Sequence, residues 1–104
     1  MENIFWTAYC NNERIVAISE IEKIINQYGY ITDFKFFSDI SIAIKIELEE
    51  HHIDKLFFDL KQYMSLKEFA EMNSVSKEER YIFLNVTFTK GTGDLRIEIP
   101  SVPG

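Results

Sequence analysis

From residue 40 to residue 48 the chain alternates without a fault: Ile40, Ile42, Ile44, Ile46 and Leu48 against Ser41, Ala43, Lys45 and Glu47. Successive side chains of a β-strand point to opposite faces, so this run dictates a strand with one apolar and one polar face. The period of two returns in residues 81–89, where Ile82, Leu84, Val86 and Phe88 share a parity. Two such strands demand an apolar cover, and two amphipathic segments can supply it. Ala17, Ile18, Ile21, Ile24, Ile25 and Tyr28 recur at helical spacing, as do Ile53, Leu56, Phe57, Leu60 and Met64.

The remaining segments fill in an element order. Residues 4–10 (IFWTAYC) are aromatic and β-branched, as in a strand. Asn11 and Asn12 offer side-chain oxygens to cap the first helix, and Gly29 reads as its left-handed stop. Residues 30–37 (YITDFKFF) read as a strand and Ser38-Asp39 as a turn. Ser65-Leu66-Lys67-Glu68 fits the capping-box pattern, which predicts a short helix through about Met72. Residues 73–80 are polar and read as a loop. Lys90-Gly91-Thr92-Gly93-Asp94 reads as a hairpin turn into a closing strand carrying Leu95, Ile97 and Ile99. Pro100 ends that strand, leaving residues 101–104 as a frayed tail.

Strand, helix, strand, strand, helix, strand resembles the split βαβ order of the ferredoxin-like superfold. The expectation is a single α+β domain over residues 1–104: a ferredoxin-like βαββαβ sandwich with an added C-terminal strand. Its sheet is expected to be antiparallel with both helices on one face, the third strand lying between the first and second. The fourth strand would flank the first, and the fifth would extend that edge. Cys10 and the segment 65–80 would then share one end of the sheet. The Glu49-Glu50-His51-His52 loop would lie at the other, beside Gly29 and the Gly91–Gly93 turn.

Composition narrows the function classes. At 104 residues, 46% hydrophobic and 14% aromatic, the chain can bury a core and is not disordered. Eleven Lys+Arg against seventeen Asp+Glu give a net charge of −6, which opposes nonspecific binding to nucleic acid or to an acidic membrane. RNA-recognition domains share this element order but stack bases on outward aromatics of the third strand. Here those positions hold Ser41, Ala43, Lys45 and Glu47. One cysteine forms no internal disulfide. Neither a basic-then-apolar leader nor a membrane-length apolar run appears, so a soluble cytoplasmic protein is the expectation.

Several residues invite chemistry, each with a plainer explanation. Cys10 precedes a helix N-terminus, which activates thiols, yet a strand-end cysteine usually acts as a small buried hydrophobe. His51 and His52, flanked by Glu49, Glu50 and Asp54, are ligand types for zinc-like ions. Consecutive helical residues diverge by about 100°, however, so no metal or other cofactor is assigned. Gly91 and Gly93 could form an anion-binding nest with that end, although a hairpin turn explains both. The carboxylates Glu47, Glu49, Glu50, Asp54 and Asp59 read as a solvated face, and no catalytic residue is assigned.

The aromatic surplus carries more. Residues on opposite parities of one strand, such as Trp6 and Tyr9, cannot all enter the helix-covered core. Tyr81 and Phe83 oppose Ile82 and Leu84, and so face away from the helices. Trp6 or Tyr9, together with Tyr81 and Phe83, therefore define a candidate interface on the open face. The leading expectation is a noncatalytic interaction or regulatory module that self-associates through its sheet, as a homodimer, or meets a basic protein partner. The alternative is a small-molecule sensor similar in plan to ACT-type domains. A small enzyme or metal-binding protein using the His51/His52 end is the third reading.

Overall fold

In the computed structural model, which describes residues 3–89, the alternating segments are strands of one open, five-stranded mixed sheet carrying two α-helices, an α+β fold. The elements in chain order are β1 (Ile4–Cys10), α1 (Arg14–Asn26), β2 (Gly29–Ser38) and β3 (Ser41–Glu49). A 3-10 turn (Glu50–His52) then leads into α2 (Ile53–Tyr63), followed among the described residues by β4 (Ser65–Leu66) and β5 (Glu79–Phe88).

The strand order is β2-β3-β5-β1-β4. The expected neighbours β1 and β3 are separated by β5, which runs antiparallel to β3 and parallel to β1, with Ile4 opposite Ile82 and Cys10 opposite Phe88. The sheet is therefore mixed, not antiparallel throughout. The physical reason lies in the residues just past α2. Instead of the predicted short helix, Ser65 and Leu66 pair with Tyr9 and Ala8, and the Lys67 N–H donates to the Thr7 carbonyl at 3.0 Å. The free edge of β1 thus captures this stretch as a strand.

The chain then returns as an extended strap to the opposite end of the sheet and starts β5 there. Asp54, in the first turn of α2, accepts the Met72 and Asn73 N–H groups at 3.0 and 2.8 Å. Asn73 takes the left-handed conformation at φ 49°, which asparagine tolerates. Segment 74–78 accordingly lies beside the histidines, not beside Cys10. Because β5 runs parallel to β1, its far end meets Cys10: the Thr89 N–H donates to the Cys10 carbonyl at 2.9 Å. Gly91, Gly93, the closing strand and the tail lie outside the described residues. Both edges of β5 are already bonded, to β3 and to β1.

Local details differ from expectation in two places. Glu13, not Asn11 or Asn12, caps α1, its carboxylate accepting the Val16 N–H at 3.1 Å. Gly29 is needed for close approach rather than for a left-handed stop. A Cβ there would collide with the Glu47 carbonyl oxygen and sit 2.6 Å from the Leu48 Cβ.

One cluster forms the core. Ala17, Ile21, Ile24 and Ile25 of α1 and Ile53, Leu56 and Leu60 of α2 meet the even-numbered residues of β1, β3 and β5. Trp6 belongs to this cluster at 3% exposure, which corrects its placement at the interface. Its indole contacts the Phe57 and Phe69 rings edge-on at 5.1 and 5.4 Å, so an α2 residue and a strap residue clamp it from the helix side. The Trp6 Nε1–H has no acceptor among the described residues. Trp6→Ala is expected to cost about 3–5 kcal/mol, the usual loss for truncating a large buried aromatic. Trp6→Phe should cost much less, since it also removes an unsatisfied donor. Urea midpoints of the two variants measure the difference.

Candidate functional site

Two regions concentrate chemistry: the outward face of the sheet and the sheet end where α2 begins. On the face, register sets the neighbours. Asp33 lies opposite Lys45, Lys45 opposite Phe83, and Phe83 opposite Phe5, so one row crosses four strands. The Phe5 and Phe83 rings stack at 5.2 Å with a 20° interplanar angle. The Lys45 Nζ lies 4.6 Å from the Tyr81 ring centroid and 5.6 Å from that of Phe83, positions of cation–π attraction. Phe5 is 68% exposed, Phe37 66%, Tyr9 46% and Tyr81 39%, while Phe83 is half-buried beneath its stack. Ala43 is the small residue of this face. The dip over it, about 270 Å³, is walled by Phe5, Phe37, Phe83, Lys35 and Lys45.

Tyr81 and Phe83 thus sit where the parity argument put them; of the alternatives Trp6 and Tyr9, Tyr9 is exposed and Trp6 points into the core. Its place is taken by Phe5, which that argument passed over. A signal was present in β1: Ile4, Trp6, Ala8 and Cys10 include no hydroxyl or charge, whereas Thr7 and Tyr9 share the parity of Phe5. Phe37 reaches the same face by ordinary alternation, sharing the parity of Asp33 and Lys35, with which it lines the dip.

At the other end, β3 delivers Glu49 directly into the 3-10 turn that carries His51 and His52. The His51 Nε2 lies 2.6 Å from Glu49 Oε1, and the His52 Nδ1 lies 3.2 Å from the Tyr28 carbonyl oxygen. The two imidazole centroids are only 4.0 Å apart, although adjacent helical residues ordinarily diverge. Each ring is drawn back by its own partner, one on β3 and one in the turn just before β2. The strap fixes this turn: Glu50 N–H donates to the Glu78 carbonyl at 2.8 Å and His51 N–H to the Ser76 carbonyl at 2.9 Å. Glu50 also accepts from Ser74 Oγ at 2.6 Å and Arg80 Nη1 at 2.8 Å. Nearby, the Tyr28 hydroxyl donates to Asp59.

These contacts divide the acids by electrostatics. The hydrogen bond from His51 holds Glu49 below the ordinary carboxylate range, and those from Ser74 and Arg80 do the same for Glu50. Glu79 goes the other way. Paired across from Glu49 and diagonal to Glu47, it shares a hydrogen bond with Glu47 and feels the charge of both, which pushes its pKa up. Cys10 is fully buried at the opposite end of β5, about 30 Å away at 3.3 Å per residue, and forms no pair with either histidine.

A class of α+β domain with an aromatic sheet face and a histidine–carboxylate end is what the geometry defines. The chain matches no protein-family model, no curated protein and no solved structure. No helix among the described residues is long and apolar enough to cross a membrane.

The raised Glu79 has a testable consequence. In the folded chain it keeps a proton that the unfolded chain has already lost, so stability falls as pH rises from its ordinary value of 4.5 through the raised one. Glu79→Gln removes that loss. The variant should be more stable than the parent at neutral pH and equal to it in acid, as read by urea unfolding at a series of pH values.

Proposed function

We propose that this protein is a noncatalytic interaction module that self-associates through the outward face of its sheet. The reading places both helices on one face and the partner on the other. The observation that carries it is the Phe5–Phe83 stack, which shares the dip over Ala43 with Phe37, with Tyr81 and Tyr9 also exposed. Exposed aromatic clusters of this kind mark interaction surfaces.

A second copy suits the face better than an unlike partner. The chain as a whole carries −6, which opposes association of copies, but the central face is balanced: Lys35 and Lys45 against Asp33 and Glu47. A two-fold axis brings the same patch onto itself, so aromatic can meet aromatic and lysine can meet acid. A second reading, a small-molecule sensor, is favoured by the dip over Ala43, whose walls combine aromatic rings with two ammonium groups. The ACT-like comparison contributes less, since β5 separates β1 from β3 here.

Light scattering across a concentration series tests the proposal. The parent is expected at twice its 12.3 kDa chain mass. Phe83→Glu, whose charge would be buried without a partner at the interface, should return the monomer mass with an unchanged circular dichroism spectrum. A parent that stays monomeric when concentrated, or a variant of undiminished mass, overturns self-association. A basic protein recovered on the same face would redirect the proposal to a hetero-complex.

A further inference from the structure

The histidine–carboxylate end has the makings of a metal centre, independent of whether the sheet face self-associates. One carboxylate oxygen of Glu49 and one ring nitrogen each of His51 and His52 all lie within 4.8 Å of one another, and the three residues are half-buried. A zinc-like ion holds nitrogen and oxygen ligands at about 2.0–2.2 Å, so small side-chain rotations bring this set to one centre.

The surroundings orient the ligands as metal sites do. A carbonyl oxygen only accepts hydrogen bonds, so the contact with Tyr28 places the hydrogen of the neutral His52 ring on Nδ1. The lone pair is then on Nε2. Metal-bound histidines almost always donate their other ring N–H in this way, which fixes tautomer and orientation before the ion arrives. The backbone beneath the ligands is pinned by the Glu78 and Ser76 carbonyls of the strap. Charge agrees: a cavity of about 340 Å³ reaches Glu49 and His52, and its lining adds Glu47 and Glu79 but no lysine or arginine.

We propose that Glu49, His51 and His52 bind one divalent ion of the zinc class, with the remaining position open to the cavity and to Glu79. Two imidazoles and one carboxylate select borderline ions such as Zn²⁺ over Mg²⁺ and Ca²⁺, which prefer all-oxygen sets. On binding, the ion takes the place of the hydrogen between His51 Nε2 and Glu49, and the neutral His51 ring carries its hydrogen on Nδ1 instead.

Calorimetric titration of the full chain with ZnCl₂ reads this directly. The expected result is saturation at one equivalent, with no binding of Mg²⁺ or Ca²⁺ under the same conditions. His52→Gln and Glu49→Gln should each weaken Zn²⁺ by at least about tenfold with the dichroism spectrum unchanged, since even loss of a residue that only orients a ligand costs that much. If His52→Gln fails to fold, Glu49→Gln, which preserves shape and hydrogen bonding, decides alone. Imidazole nitrogen NMR should show Zn²⁺ at Nε2 of His52 while Nδ1 keeps its hydrogen. Absence of one-equivalent binding, an affinity unmoved in both variants, or coordination through Nδ1 of His52 overturns the site.

Discussion

The parallel pairing of β1 with β5 governs nearly everything else in the molecule. It puts Ile82, Leu84, Val86 and Phe88, none more than 2% exposed, between two other strands, where their side chains join one core cluster with residues of α1 and α2. A strand apolar on one face and aromatic on the other belongs at a sheet's centre. Parallel neighbours need a long crossover, and here the strap 67–78 provides the return. The strap in turn carries Phe69 to Trp6 and delivers the Ser76 and Glu78 carbonyls to the histidine turn. The outward row Lys45–Phe83–Phe5 exists only because β5 lies between β3 and β1.

The start of α2 is the second organising point. Its first-turn Asp54 and the adjoining Glu50 accept four hydrogen bonds from the strap and β5, from Met72, Asn73, Ser74 and Arg80. Acids are favoured there by the helix dipole. The same concentration of carboxylates leaves Glu79 and Glu47 crowded against each other, an unfavourable arrangement in an unliganded chain. A bound cation would relieve it, which joins the electrostatics of this end to the ligand geometry of Glu49, His51 and His52.

Much of the α+β fold was legible in the sequence for identifiable reasons. The period-two runs gave β3 and β5 with inward faces correct at Ile42–Leu48 and Ile82–Phe88, although Ile40 falls in the preceding turn and is exposed, and the helical spacing around Ile21 and Leu56 gave α1 and α2. What escaped was long-range. No local pattern says which strand pairs with β1, because hydrogen-bond partners distant in sequence leave no periodic trace. Ser65-Leu66-Lys67-Glu68 has the letters of a helix cap, yet the open edge of β1 outweighed that local preference. Of the candidate interface, Tyr81 and Phe83 came from parity, while Trp6, Tyr9 and Phe5 depended on a choice of β1 face that Thr7 could have guided. The convergence of His51 and His52 was invisible, since it is made by Tyr28 and Glu49 rather than by their own spacing.

Placing β5 at the centre also sets the order in which the chain can assemble as it is synthesised. Until residue 88 has been added, β1 and β3 have no common neighbour, and each presents a bare hydrogen-bonding edge beside an apolar surface. The β1–α1–β2–β3–α2 portion then lacks the strand that joins β1 to β3, with a gap in the core where Ile82, Leu84 and Val86 belong. Closure comes late and is non-local, joining residues nearly eighty positions apart such as Ile4 and Ile82. A nascent chain of this design remains an open clasp on the ribosome, exposed to foreign strands until β5 snaps it shut.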